Sequence, residues 1–387
     1  MILAAVAVIL IIFESGRRRQ VGYSKDLLGA TVLALLFSFL CFVAADYNDT
    51  HDYSYATYFV SFFVWLGGAY TVCGIIRMLH GEATFKLLTY YLVGVCVVQC
   101  ILAMMIDKMP AFQSFVDAYI FQGQDFLQDV NRLYGIGASL DPAGIRFGVV
   151  ALMIAFVLFN EESIRSNKTI KTVMIFLFFV IAVMGNMVSR TTSVGVIMGL
   201  AYMLYRMNVI KTVIKKDILS MWGILLPVLA IAIVILVYLY NTDDHVYRLL
   251  RFAFEGFFNW VETGEWKTSS TDKLNNTMWI WPGDLKTWFI GTGLFGNFVF
   301  STDIGYCRFI LYCGLCGFSV FALFFLYNAF VIIQRLRTYR LFCIALCIFG
   351  FIIWLKVATD IFLIYALFYC MDRERRDTGE HLREETV

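Results

Sequence analysis

The chain has 387 residues, 60% of them hydrophobic and 16% charged, with a formal net charge of +2 and a mean hydropathy of +0.74. A soluble protein of this length would not carry so many apolar runs, so the composition excludes that class and fits a polytopic membrane protein. Four prolines and no Ser/Gly-rich tract give no sign of a linker or of a second, soluble domain.

Apolar runs near 20 residues predict an all-α protein with about eleven spans, within a range of ten to twelve. They lie at 1–14, 26–45, 56–76, 87–106, 143–160, 170–188, 192–207, 218–240, 305–333, 341–355 and 357–371. The first run ends at residues 14–19 without a small-residue cleavage site, and is expected to be a short span rather than a signal peptide. Pro227 is the one position where a broken span is expected.

Lys and Arg collect in alternate loops: Arg17, Arg18, Arg19 and Lys25; Arg77 and Lys86; Arg165, Lys168 and Lys171; Arg206, Lys211, Lys215 and Lys216; Arg335, Arg337 and Arg340; Arg373, Arg375, Arg376 and Arg383. These are 20 of the 31 basic residues, and the positive-inside rule makes their loops cytoplasmic. The N-terminus is then outside and the tail 372–387 inside. Two outer loops are long, 107–144 and 241–304. Stretches 112–133 and 246–261 within them are amphipathic, and Trp266, Trp279, Trp281 and Trp288 fit the headgroup layer.

Cations retained on the outer side, against the charge bias, are the candidate functional residues. Arg132 precedes a turn built on Gly135 and Gly137, and Arg146 enters the next span one turn below the rim after Asp141-Pro142-Ala143-Gly144. Snorkelling or helix capping is the plainer role for both. Ser189-Arg190-Thr191-Thr192-Ser193 is a very short hairpin whose hydroxyls and guanidinium could cradle an oxyanion. Asp303 sits at the mouth of a span with Arg308 a turn further in. It could orient or deprotonate an acceptor hydroxyl, or else pair with Arg308 or cap the helix. Lys356 and Asp360 are four residues apart, a spacing that favours their pairing with each other. Arg248, Arg251 and Glu255 share one face of a surface helix.

The glycine-rich run Gly291-Thr292-Gly293-Leu294-Phe295-Gly296 lacks the GK[ST] ending and the preceding strand of a nucleotide-binding loop. The ten cysteines fall mostly in apolar runs, as in Cys96, Cys100, Cys343 and Cys347. The Cys313–Cys316 pair has no histidine partner, so no metal site and no cofactor are expected. No nucleic-acid partner is expected either.

Taken in order, these segments resemble the Wzy-type O-antigen and capsular polysaccharide repeat-unit polymerases and, more distantly, the O-antigen ligases. The resemblance rests on Arg132-x-x-Gly135 followed by Asp141-Pro142-x-Gly144, on Ser189-Arg190-Thr191 opening a span, and on Gly291-Thr292-Gly293 with Asp303-x-Gly305-Tyr306, Gly314 and Gly317. It covers roughly residues 125–320. It implies a GT-C-like glycosyltransferase of the bacterial inner membrane, with two large periplasmic loops and a periplasmic active site. Such an enzyme transfers a growing glycan from undecaprenyl pyrophosphate to a new lipid-linked repeat unit without a metal. Chain-length regulator and flippase proteins would be its partners beside the bilayer. In this reading Arg132 and Arg190 hold the donor pyrophosphate, Asp303 faces the acceptor hydroxyl, and Arg146, Arg308, Ser189, Thr191, Lys356 and Asp360 line the substrates. Aromatics of the second loop would stack on sugar faces. Ligases tend to carry a histidine where this chain reads Ser301-Thr302-Asp303, which favours the polymerase. The rivals are an O-antigen ligase and a transporter or flippase of a lipid-linked or anionic solute.

Overall fold

Backbone amides have no partner in hydrocarbon, so a chain this apolar satisfies them within helices. In the computed structural model, residues 1–18, 24–122, 132–207, 216–296 and 299–372 are described, and among them there is no β-strand. Arg19, residues 123–131 of the first long loop, Lys211, Lys215 and the tail beyond Asp372 lie outside the described residues. In chain order the helices are α1 (Ile2–Arg18), α2 (Lys25–Tyr47), α3 (Tyr58–His80), α4 (Phe85–Lys108) and α5 (Pro110–Tyr119). There follow α6 (Leu140–Asn160), α7 (Glu162–Ser166), α8 (Lys168–Val188), α9 (Thr192–Arg206) and α10 (Lys216–Thr242). The second long loop holds α11 (Asp244–Ala253), α12 (Glu255–Thr263), α13 (Ser269–Thr277) and α14 (Leu285–Phe289). The chain then returns through α15 (Gly305–Arg335), α16 (Arg340–Ile353) and α17 (Phe362–Cys370). Side-chain oxygens cap several N-termini, with Ser24, Thr84 and Asn167 accepting from Leu27, Leu87 and Ile170 amides.

Seven helices among the described residues are long and apolar enough to cross a membrane: α2, α3, α4, α6, α8, the Met221–Thr242 part of α10, and α15. The other four expected spans are helices too, but α1, α9, α16 and α17 have only 17, 15, 14 and 9 residues. Nine residues rise about 14 Å, well short of a hydrocarbon core of about 30 Å. The expected span at 357–371 is helical only over the nine residues Phe362–Cys370: the non-helical stretch 357–361 makes up the remainder of the path from Lys356 at one end of the bundle to Asp372 at the other. Pro227 lies inside an uninterrupted α10. The break falls in α15 instead, at Gly314 (φ 63°, ψ −177°). There the carbonyls of Leu311 and Tyr312 accept from the amides of Thr292 (2.7 Å) and Gly293 (2.9 Å).

The bundle is built around α6, whose apolar window is 89% buried against 11% for α10. Glycines let its neighbours approach. A Cβ on Gly195 would lie 2.2 Å from the Gly148 carbonyl oxygen, and one on Gly185 2.7 Å from Thr192 Cγ2. Such small-residue seams are how helices pack where lipid removes the hydrophobic drive between them. Gly195→Ala is expected to cost about 1–3 kcal/mol through overpacking, read as a lower melting temperature in detergent. A Gly223→Ala control, where an added Cβ meets nothing within 4 Å, should melt with the parent.

Polar ties mark the two ends of the bundle. At one end Arg77 pairs with Asp372 (2.8 Å), Asp372 accepts from the Ala83 amide (2.7 Å), Lys86 reaches Ser163, and Arg206 binds Asn160 (3.1 Å). That end carries the alternate basic loops. The opposite end carries the two long loops and the arginines singled out above.

Candidate functional site

Gly144 brings the Ser189–Ser193 hairpin onto the start of α6, since a Cβ there would stand 2.7 Å from Ser189 Cβ. Asp141, in the first turn of α6, is the hub of this contact. Its Oδ1 accepts from Ser189 Oγ (2.6 Å), from Thr191 Oγ1 and from Lys356 Nζ (2.9 Å), and Lys356 also donates to Thr191 Oγ1 (2.9 Å). Ser189 and Thr191 are 0% and 2% exposed. Their hydroxyls are committed to Asp141 and do not form the open oxyanion cradle that the hairpin sequence suggests. Lys356 pairs with Asp141 and not with Asp360, because residues 357–361 are not helical and the four-residue spacing does not bring the two side chains to one face. The Asp141 hub is the main feature that sequence reasoning missed; Gly144, three residues on, was its local signal.

Arg190 points the other way, into the second long loop. Its guanidinium pairs with Glu255 at the start of α12, donates to Ser270 Oγ (3.0 Å) in α13, and lies over the Phe252 ring of α11 at 4.6 Å. Arg132 lies over the same ring at 4.7 Å. Two guanidiniums on one aromatic ring are each attracted to it, by about 0.5–2 kcal/mol, while repelling one another. Burial holds the Arg132 guanidinium below its ordinary pKa, with Asp141 opposing and Arg190 adding to the fall. Its Nε is buried and has no hydrogen-bond partner. Burial alone would raise the Glu255 carboxyl, but the Ser269 amide and Arg190 outweigh it and hold it below the usual range. The single surface helix expected for Arg248, Arg251 and Glu255 is broken at Phe254: Arg251 belongs to α11 and pairs with Glu262, while Glu255 opens α12.

Asp303 precedes α15 in a segment pinned by Thr302 Oγ1 donating to the Met278 carbonyl (2.6 Å). Ile304, not Asp303, is the α15 N-cap residue, and no side chain caps it. Among the described residues the Asp303 carboxylate has neither a hydrogen bond nor an ion pair, so the expected pairing with Arg308 is absent. Burial raises its pKa above the ordinary carboxylate value; Arg308 opposes, Asp141 adds, and Lys273 and Lys356 oppose. Arg308 donates to the Phe295 carbonyl (2.7 Å) and lies over that residue's ring at 4.1 Å, fastening the glycine-rich run. That run does present an anion nest, but the chain fills it. The Phe295 and Gly296 amides donate to Asp52 Oδ2 at 2.6 and 2.5 Å.

Arg146 is exposed although its helix is the most buried of the spans. Among the described residues it makes no hydrogen bond, and Asp360 is the carboxylate within its electrostatic reach. Asp360 accepts from the Phe362 amide (3.0 Å) at the start of α17. The structure thus joins Arg132 to Arg190 through Phe252 and Asp141 to Lys356 through an ion pair, while Asp303 and Arg146 make neither a hydrogen bond nor an ion pair among the described residues. No protein-family model, curated protein or solved structure matches this chain.

Proposed function

We propose that the protein is an integral membrane polymerase of undecaprenyl-pyrophosphate-linked oligosaccharide repeat units, acting on the periplasmic side of a bacterial inner membrane. One observation carries the reading: Arg132 and Arg190 share the Phe252 ring at the loop end of the bundle, the end at which Asp303, a carboxylate with neither hydrogen bond nor ion pair among the described residues, precedes α15. In the reaction, Asp303 takes the proton of the acceptor hydroxyl as that oxygen attacks the anomeric carbon. The bond from that carbon to the donor pyrophosphate breaks, and the two guanidiniums meet the charge that develops on the leaving group. The growing glycan ends on the new lipid-linked unit.

The test is the surface-glycan ladder of cells lacking the protein, complemented with wild type or Asp303→Asn. The deletion and the variant should both leave a single repeat unit. The base must be ionised, and its folded pKa is raised, so polymerisation should fall as pH drops through a value above the ordinary aspartate range of about 3.9. A raised carboxyl pKa also means that ionised Asp303 costs stability at neutral pH, a cost relieved on acidification. Asp303→Asn should therefore melt no lower than wild type while losing the ladder. Polymer that persists on the undecaprenyl carrier would identify a ligase instead.

A second reading, a transporter or flippase of a lipid-linked or anionic solute, draws support from the helix break at Gly314 and the non-helical stretch before α17. It requires that deletion trap lipid-linked units on the inner leaflet, with polymer formation restored when units are supplied outside.

A further inference from the structure

Glu255 sits where an anionic ligand would. Its Oε1 accepts from the Ser269 amide (2.8 Å), and its Oε2 from Arg190 and from Ser269 Oγ (3.3 Å). A guanidinium, a hydroxyl and the first amide of a nine-residue helix make a donor set suited to phosphate oxygens. The set is one acceptor short. Arg132 stacks on the same Phe252 as Arg190, yet its buried Nε has nothing to donate to, a donor left unmet at a cost. A carboxylate has two oxygens, and both are used; a pyrophosphate brings more acceptors and a charge that two arginines match.

The segment that supplies Glu255 is lightly held. Within α12 only Gly256 is buried, and α13 buries none of its residues. The contacts of Glu255 and Ser270 with Arg190 tie α12–α13 to the bundle together with the Arg251–Glu262 pair, the Tyr240–Phe258 stack and Leu274, and segments with so little buried surface open at low cost.

We propose that Glu255 is a built-in occupant of the anion site, displaced when a pyrophosphate group binds Arg190 and Arg132, and that its displacement releases α12–α13. The proposal rests on the polymerase reading above for the source of that group, and gives the cycle a step at which ligand binding frees the second long loop to admit the glycan.

The experiment uses the full-length protein in lipid nanodiscs with inorganic pyrophosphate as probe, following binding by calorimetry and loop opening by amide hydrogen exchange. In wild type, pyrophosphate should raise exchange across residues 269–277. Glu255→Gln should show that raised exchange without ligand and bind pyrophosphate about tenfold tighter, the effect of removing one charge-assisted competitor. Glu255→Asp, which keeps the charge on a shorter arm, serves if the glutamine variant does not accumulate and should shift both readouts the same way. Unchanged affinity in both variants, with binding lost in Arg190→Ala, overturns the displacement while leaving the anion site intact. Pyrophosphate binding that ignores both Arg190→Ala and Arg132→Ala overturns the site itself, and with it the polymerase reading.

Discussion

Arg190→Ala is expected to reduce polymer formation by at least a hundredfold, leaving a single repeat unit in the surface-glycan ladder at matched membrane abundance. The basis is the number of roles the side chain combines. It pairs with Glu255, donates to Ser270 and stacks on Phe252, and in the proposed reaction it meets the charge of the departing pyrophosphate. Loss of one preorganised donor to a developing oxyanion costs about 2.7–4 kcal/mol, or roughly 10²–10³ in turnover. Removing the cation also leaves Glu255 part-buried without its counter-charge, so stability falls as well. Arg190→Ala combined with Glu255→Gln separates the two effects: the second change should restore the melting temperature but not the ladder. A double variant that recovers polymer would show that Arg190 serves only to hold the loop.

Lys356→Ala is expected to have the largest effect on stability. The Asp141 side chain is 22% exposed and that of Lys356 30%, enclosed enough for the pair to count. Stripping one partner from a buried pair costs about 3–5 kcal/mol, because the surviving charge stays desolvated. Partial exposure puts this pair near the lower figure. Ser189 and Thr191 would remain as donors to Asp141, so the loss should appear as a lower melting temperature rather than complete misfolding. Asp141→Asn in the Lys356→Ala background removes the orphaned charge and should recover most of the stability. If Lys356→Ala melts with wild type, the pair is solvated in the membrane and contributes little.

The long spans were legible because their signal is local: a helix such as α6 or α8 is written as an uninterrupted apolar run. The Ser189–Ser193 hairpin was legible for the same reason, since two such runs leave five polar residues between them. The partners were not. Arg190 meets Glu255 across 65 positions and Lys356 meets Asp141 across 215, separations at which no periodicity survives. The four-residue rule applied to Lys356 and Asp360 fails because it presumes a helix, and residues 357–361 are not one. The segment 357–371 shows the same thing, since only its residues Phe362–Cys370 are helical. Apolar composition marks a segment as buried without saying how many of its residues are helical. Pro227 and Gly314 show the complementary error: proline in lipid can be carried within a helix, whereas a glycine at positive φ permits a backbone turn that no apolar pattern reveals.

The break at Gly314 bears on how the protein is assembled. The carbonyls of Leu311 and Tyr312 accept from the amides of Thr292 and Gly293, and a Cβ on Gly314 would stand 2.2 Å from the Phe289 carbonyl oxygen. While α15 is entering a bilayer alone, those two carbonyls lack the loop amides that meet them in the folded protein, and an unmet carbonyl in hydrocarbon costs several kcal/mol. The upper part of α15 therefore reaches its final depth only after residues 289–293 have come down onto it. In the order of biogenesis, the outer loop is a template for the helix that follows it.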